Sequence, residues 1–304
     1  MPTSNHTAVN AGNLKGALLM VLSMALFSLE DMAIKQAATH LPVGQILTIF
    51  GLIGTLVFAL LTLRRRERVV HPVMAERVMV IRAGFEVLGR VFFTLSLALT
   101  ALSTTSAILQ ATPLMVAAAA VVIFREPVSL TRWALIALGF IGVLLVIRPG
   151  LDGFSPLSIL AILGMIGFAG RDLATRAASP VLSYAQLGVT GFAALILSGL
   201  LLSIWDGYWI WPDLKDLAFV ALASAVGVAA YTALTMAMRM GELSVVTPFR
   251  YSRLLFAMIL GALVFGERPD ALELLGGAVI VGAGVLLMLT SRASRASRGR
   301  RTPK

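Results

Sequence analysis

Apolar residues come in blocks of about twenty along this chain, and most polar residues fall in the short gaps between the blocks. A helix rises 1.5 Å per residue, so ~20 apolar residues are enough to cross a hydrocarbon core of ~30 Å. The pattern predicts ten transmembrane spans, at 14–36, 44–63, 78–98, 104–124, 130–148, 155–175, 183–204, 216–238, 244–265 and 271–290. The gaps leave no room for a separate soluble domain. The expected class is an all-α polytopic membrane protein.

Composition supports that reading. Of the 304 residues, 58% are hydrophobic and 13% charged, against about 45–50% and about 25% in soluble domains. The chain has no cysteine, which excludes disulfides, thiol nucleophiles and thiolate metal sites. The N-terminus has neither a basic leader nor a small-residue cleavage site, so the first apolar run is expected to be a retained helix.

The net charge of +10 would suit nucleic acid, but its placement does not. With the N-terminus set in the cytoplasm, sixteen Lys and Arg fall in inside segments and four (Lys35, Arg148, Lys215, Arg268) in outside ones. That bias predicts a multi-pass protein of the bacterial inner membrane with both termini cytoplasmic. The loop WDGYWIWPDLKD (205–216) then lies outside, with its aromatics at interface depth. The basic tail 291–304 stays inside, against anionic lipid or as a topogenic stop.

The chain also matches itself. At an offset of 141, FSLEDMAIKQAA (27–38) overlies FAGRDLATRAAS (168–179), pairing Asp31 with Asp172 and Lys35 with Arg176. The same register pairs Gln45 with Gln186, Ser103 with Ser244 and Glu126 with Glu267, and it sets GVLLVI (142–147) over GVLLML (284–289). Each half, 14–148 and 155–290, therefore holds five spans. An odd number makes the second copy enter from the opposite side, so the repeats are inverted, an arrangement common among secondary transporters.

A 5+5 repeat with Glu-Pro type signatures after the fourth and ninth spans resembles the drug/metabolite transporter superfamily, specifically its EamA-type members. The resemblance runs from about 14 to 290. It implies a pseudo-twofold bundle with a central cavity lined by the first, third, fourth, sixth, eighth and ninth spans. The stretch FSLEDMAIK is similar to the first span of bacterial riboflavin importers, which points to riboflavin uptake. Export of amino acids or related metabolites is the other reading that the resemblance allows.

Nine ionisable residues fall inside predicted spans: Glu30, Asp31, Arg82, Glu86, Arg90, Arg171, Asp172, Arg250 and Arg253. Facing lipid, they would together cost on the order of 25 kcal/mol, so they must face an interior. Arg82, Glu86 and Arg90 stack at i, i+4 and i+8 on one helix face. Arg250 and Arg253 flank Tyr251 after Pro248, ~10–15 Å from the cytoplasmic end at 1.5 Å per residue. Gln110 lies at similar depth, and Tyr231 is the repeat partner of Arg90. These residues, with Glu30, are the candidate substrate contacts, although Arg82–Glu86–Arg90 would serve equally as a fixed folding network. Glu30 has no acidic counterpart, because Arg171 stands opposite it, and it suits either a substrate contact or a proton-titrating carboxylate. Asp31 with Lys35, and Asp172 with Arg176, are expected as i, i+4 gate pairs at the two mouths.

An intramembrane enzyme lacks its parts. His6, His40 and His71 all lie outside the spans, no HExxH occurs, and the opposite depths of Asp31 and Asp172 forbid an aspartyl dyad. No nucleotide-binding motif, metal site or cofactor is expected. The expected partners are a small-molecule substrate and the lipid bilayer, with room for a homodimer and none for nucleic acid. The function that follows is secondary transport of a small organic metabolite by alternating access.

Overall fold

The computed structural model describes residues 3–124, 130–147, 155–177, 181–240 and 247–299. Helix is the only regular structure among them. Long helices occupy the first three predicted spans: α1 (Thr3–Ala37), α2 (Val43–Arg64) and α3 (Arg77–Leu99). The fourth is split into α4 (Leu102–Leu109) and α5 (Thr112–Phe124), and α6 (Leu130–Ile147) fills the fifth. In the second half follow α7 (Ser158–Ala177), α8 (Tyr184–Asp206) and α9 (Leu214–Met240). The ninth span opens with a 3₁₀ turn (Thr247–Tyr251) before α10 (Ser252–Phe265), and α11 (Ala271–Gly299) ends the order. Among the described residues, five helices are long and apolar enough to cross a membrane: Leu14–Ala37, Val43–Arg64, Ser158–Thr175, Tyr184–Asp206 and Leu214–Met238.

The split in the fourth span departs from the continuous helix expected there, and its cause is local. Pro113 has no N–H to give the carbonyl of Leu109, and the hydroxyl of Thr112 donates to that carbonyl instead, at 2.5 Å. The amide of Gln110 is shared between the carbonyls of Ser106 and Ala107, and that of Ala111 reaches back three residues to Ile108, which tightens the chain into a turn. Hydropathy cannot register such a break, since the residues on both sides remain apolar. Two ends also extend beyond expectation: α1 begins eleven residues before position 14, and α11 runs nine past 290.

Helices pair across the halves. α1 packs on α9, α3 on α7, α2 on α8, α4 on α10 and α6 on α11. Exchanging the halves at the 141-residue offset turns α1–α9 into α7–α3 and maps α2–α8 and α6–α11 onto themselves. In lipid, apolar burial gains little over acyl chains, so close packing and polar contacts must hold such pairs together. Gly142 and Gly276 show how: a Cβ on Gly276 would lie 2.7 Å from the Gly142 carbonyl oxygen, so only glycine lets α6 and α11 approach this closely. On α2, Leu52, Leu56, Leu60 and Leu63 point outward and are more than half exposed, as a lipid-facing stripe must be. Inside, Phe50, Phe58 and Phe192 interlock between α2 and α8. The matched glutamines, Gln45 and Gln186, each hydrogen-bond loop backbone contributed by the opposite half.

Candidate functional site

Four of the intramembrane charges, Glu30, Asp31, Arg82 and Glu86, are buried, and the other five are at most partly exposed. On α3, Glu86 is a hub: its carboxylate lies 3.7 Å from Arg82, 3.8 Å from Arg90 and 3.2 Å from Arg171 of α7. Arg82 also donates to the Thr175 hydroxyl at 2.9 Å. Arg171 turns back to its neighbour Asp172 at 2.9 Å and lies over the ring of Phe168 at 4.9 Å. Arg90 extends the network to Glu30 of α1, at 3.3 Å. The helical stack read from the sequence is thus present, and it is tied into two further helices.

Asp31 belongs to a second pair. Arg253, on the first turn of α10, donates to its Oδ2 through Nη2 at 2.6 Å and Nε at 3.2 Å. The same guanidinium lies 5.2 Å from the centre of Phe27 and 5.5 Å from that of Phe93. This differs from the expected i, i+4 pairing with Lys35. An aspartate is too short to turn along the helix and also meet a guanidinium delivered from α10, and the two-pronged bond is the stronger one. Lys35 instead donates to the carbonyls of Leu97 and Thr100 at the end of α3 and approaches Glu267 at 4.0 Å. Asp172 is more open than Asp31, with side-chain exposures of 28% and 1%. The side chain of Arg176, like the whole of Glu126, lies outside the described residues.

Gln110 and Arg250 meet where the broken spans face each other. The Gln110 amide donates to the Arg250 carbonyl at 3.2 Å. Gln110 and Tyr251 are also repeat partners, so the fourth and ninth spans break at matching positions. The Arg250 guanidinium enters no ion pair among the described residues. Asp172, Arg171 and Arg253 act on it only through space. Among the described residues, four acids and five arginines therefore leave one cation over, Arg250. Two half-helix N-termini, those of α5 and α10, begin at the same break, and each adds partial positive charge there.

Two aromatic candidates sit in packing roles. Tyr231 lies edge-on to Phe58 and Phe192, at 5.4 and 6.3 Å. Tyr251 is buried, its hydroxyl without a hydrogen-bond partner and pressed against Gly284 of α11. Two hollows among the described residues lie apart from the ion network. One of about 490 Å³ opens between Glu67, His71, Ser183 and Gln186, and one of about 300 Å³ between Thr104, Ser158, Asp270 and Glu273.

Sequence reasoning left two participants unassigned. Glu267 accepts from the amides of Leu102 and Ser103 at 2.7 and 3.0 Å, and from the Ser103 hydroxyl at 2.9 Å, so it caps α4 from the far end of α10. Its place in the Glu-Pro signature marked it as a span-end contact, but nothing local named its partner. Gly227 of α9, which lies against Glu30, reads in sequence only as one more helix-packing glycine.

The model of the EamA-like transporter family matches this chain twice, over residues 14–148 and 156–290. The chain belongs to the EamA-like transporter family. Its relatives include an S-adenosylmethionine uptake transporter of Rickettsia prowazekii, 25% identical over 94% of this chain and 96% of that protein. A pseudopaline exporter of Pseudomonas aeruginosa is 25% identical over 91% and 97%. A riboflavin transporter of Vibrio cholerae is 28% identical over 58% of each chain. A solved crystal structure superposes with a TM-score of 0.61 at 18% identity, covering 92% of this chain and 98% of its own, which is a likeness of fold. As an EamA-type protein, the chain is a multi-pass membrane transporter for a small molecule and not an enzyme.

Proposed function

We propose that this EamA-type protein is a secondary transporter that carries a zwitterionic metabolite of the S-adenosylmethionine class across the cytoplasmic membrane by alternating access. The observation that carries the reading is the junction of the two broken spans. There Gln110 holds the Arg250 backbone, and the Arg250 guanidinium is the one intramembrane cation left without an ion partner among the described residues. Discontinuous helices at mid-membrane are where secondary transporters place substrate, with half-helix N-termini turned to its anionic group. A substrate carboxylate at Arg250 would complete the charge balance. Phe27, Phe93 and Phe168, which already carry arginines on their faces, offer surfaces for a planar base.

The ten spans are read as two inverted five-helix repeats, 14–148 and 155–290, with both termini and the basic tail 291–304 cytoplasmic. Sixteen inside basic residues against four outside and the exchangeable helix pairing support this. Asp31–Arg253 and Glu86–Arg171 are the ion pairs of the intramembrane network that join one half to the other, and they are the ones set to part as the halves move. Riboflavin uptake is the second reading, favoured by relatives in Vibrio cholerae and Rhizobium johnstonii named as riboflavin transporters. The S-adenosylmethionine uptake transporter is preferred because its likeness extends over both halves.

Counterflow into proteoliposomes separates the readings. Vesicles preloaded with S-adenosylmethionine should accumulate labelled S-adenosylmethionine, and those preloaded with riboflavin should not accumulate labelled riboflavin. Riboflavin counterflow alone would establish the second reading. Counterflow of neither would end both.

A further inference from the structure

The half-to-half correspondence that pairs the helices also compares their charges, and it breaks at one point. At the 141-residue offset Glu86 corresponds to Gly227 and Glu30 to Arg171. In the α3–α7 pair, Glu86 and Arg171 form a 3.2 Å ion pair. The equivalent place in the α1–α9 pair holds Glu30 against Gly227, so this acid faces a position with no side chain at all. A Cβ built on Gly227 would come within 2.9 Å of Glu30 Oε2 and 2.8 Å of the Phe50 ring. The bare helix surface is what lets the carboxylate lie there.

The consequence is an unsatisfied acid. Arg90 reaches Glu30 through Oε1 only, at 3.3 Å. Oε2 has no hydrogen-bond partner among the described residues, in a side chain that is 1% exposed. Its neighbour repeats the pattern, since Asp31 Oδ1 is also buried without a partner while Oδ2 holds Arg253. A buried carboxylate oxygen with no donor costs free energy that a folding role alone would not retain. In the other half the position matching Gly227 carries Glu86, so the fold accommodates a charged group opposite the residue that matches Glu30.

We infer that Glu30, bared by Gly227, is the specificity-determining residue that receives the positively charged sulfonium centre of the substrate. The inference rests on the zwitterion reading above and assigns the two ends of the molecule: the carboxylate to Arg250, the cation to Glu30. Asp31 stays with Arg253 and adds negative potential without contact. When the centre opens, the guest cation completes an ion pair with Glu30 from the side that Gly227 leaves bare, as Glu86 and Arg171 complete theirs in the other half.

Charge alone can be varied in the ligand. S-adenosylhomocysteine differs from S-adenosylmethionine by the loss of one methyl group and, with it, the positive charge. Binding to the purified full-length protein in detergent should favour S-adenosylmethionine by at least about tenfold, the scale of one charge-assisted contact. Glu30→Gln should erase most of that preference by weakening S-adenosylmethionine while leaving S-adenosylhomocysteine within about threefold, a spread too small to count as a lost contact. Equal binding of the two ligands by the wild-type protein would overturn the role of Glu30 and leave the transporter reading standing; this comparison needs no variant to fold. A preference that survives Glu30→Gln would also overturn it. Binding of neither ligand would remove the zwitterion reading, and the inference with it.

Discussion

Gln45 and Gln186, 141 residues apart, perform the same task for opposite halves of the molecule. Gln45, at the start of α2, takes both backbone groups of Ile210, donating to its carbonyl at 2.7 Å and accepting from its amide at 3.0 Å. Gln186, at the start of α8, donates to the Arg68 carbonyl at 2.8 Å and accepts from the Ser183 amide at 2.9 Å. Each glutamine thus fastens the loop that joins the second and third spans of the other repeat. Gln45→Leu leaves two backbone groups of the 207–213 loop without their partner and should cost about 1–3 kcal/mol. Gln186→Leu strands one loop carbonyl and part of its own cap, and should cost less. Thermal unfolding in detergent reads the order; an unchanged midpoint for Gln45→Leu would show that the clamp contributes nothing.

Removing one member of the Asp31–Arg253 pair leaves the other buried and uncompensated. Asp31→Asn keeps the shape and should destabilise by about 3–5 kcal/mol. Adding Arg253→Gln should recover part of that loss, because the stranded guanidinium is then gone. A double variant no better than Asp31→Asn would mean that Arg253 finds another acid when Asp31 is neutral.

Glu267 caps α4 across a sequence gap of 165 residues. Glu267→Ala removes the acceptor for two amides and one hydroxyl and also withdraws the nearest acid from Lys35. The expected cost is about 1–2 kcal/mol, that of a strong N-cap. Hydrogen exchange should speed up first at Leu102 and Ser103. Exchange that quickens elsewhere and not there would assign Glu267 a different task.

How far the sequence foretold this molecule follows from what each signal measures. Hydropathy averages over a span, so it placed the helices near their observed bounds but could not resolve the interruption at Gln110 and Ala111, which is made by one proline and one threonine hydroxyl. The repeat offset named the right pairs of positions and singled out Glu30 as unmatched. It could not choose partners, because the partner of Asp31 comes from α10 and that of Lys35 from beyond it. Gly227 was illegible for a related reason: a missing side chain has meaning only once Glu30 is seen beside it.

The N-cap of α9 gives a pH-dependent prediction outside the membrane. Hydrogen bonds from the backbone amides of Asp216 and then Lys215 hold the Asp213 carboxyl below its ordinary value of 3.8. A depressed folded-state value means stability that is present above the ordinary value and lost as pH falls through the lower one. Wild type should therefore unfold at a higher temperature than Asp213→Asn at pH 7, and the difference should shrink below about pH 4, near the unperturbed carboxylate value. A gap independent of pH would trace the effect to packing.

Arg250 should separate folding from transport. Arg90 and Arg253 hold Glu30 and Asp31, so replacing either strands a buried carboxylate, and Arg82 and Arg171 share Glu86 with Arg90, so replacing either weakens that hub; each change should lower stability. Arg250 holds none among the described residues, and only its carbonyl is engaged, by Gln110. Arg250→Ala keeps that carbonyl and relieves the surplus positive charge, so its unfolding midpoint should equal or exceed that of wild type. Its counterflow should nevertheless fall by at least about tenfold, the loss of one charge-assisted contact to substrate. Arg250→Lys should recover only part of the activity, since an ammonium keeps the charge but not the two-pronged geometry that suits a carboxylate. A stable Arg250→Ala protein with undiminished counterflow would place the anionic end of the substrate elsewhere.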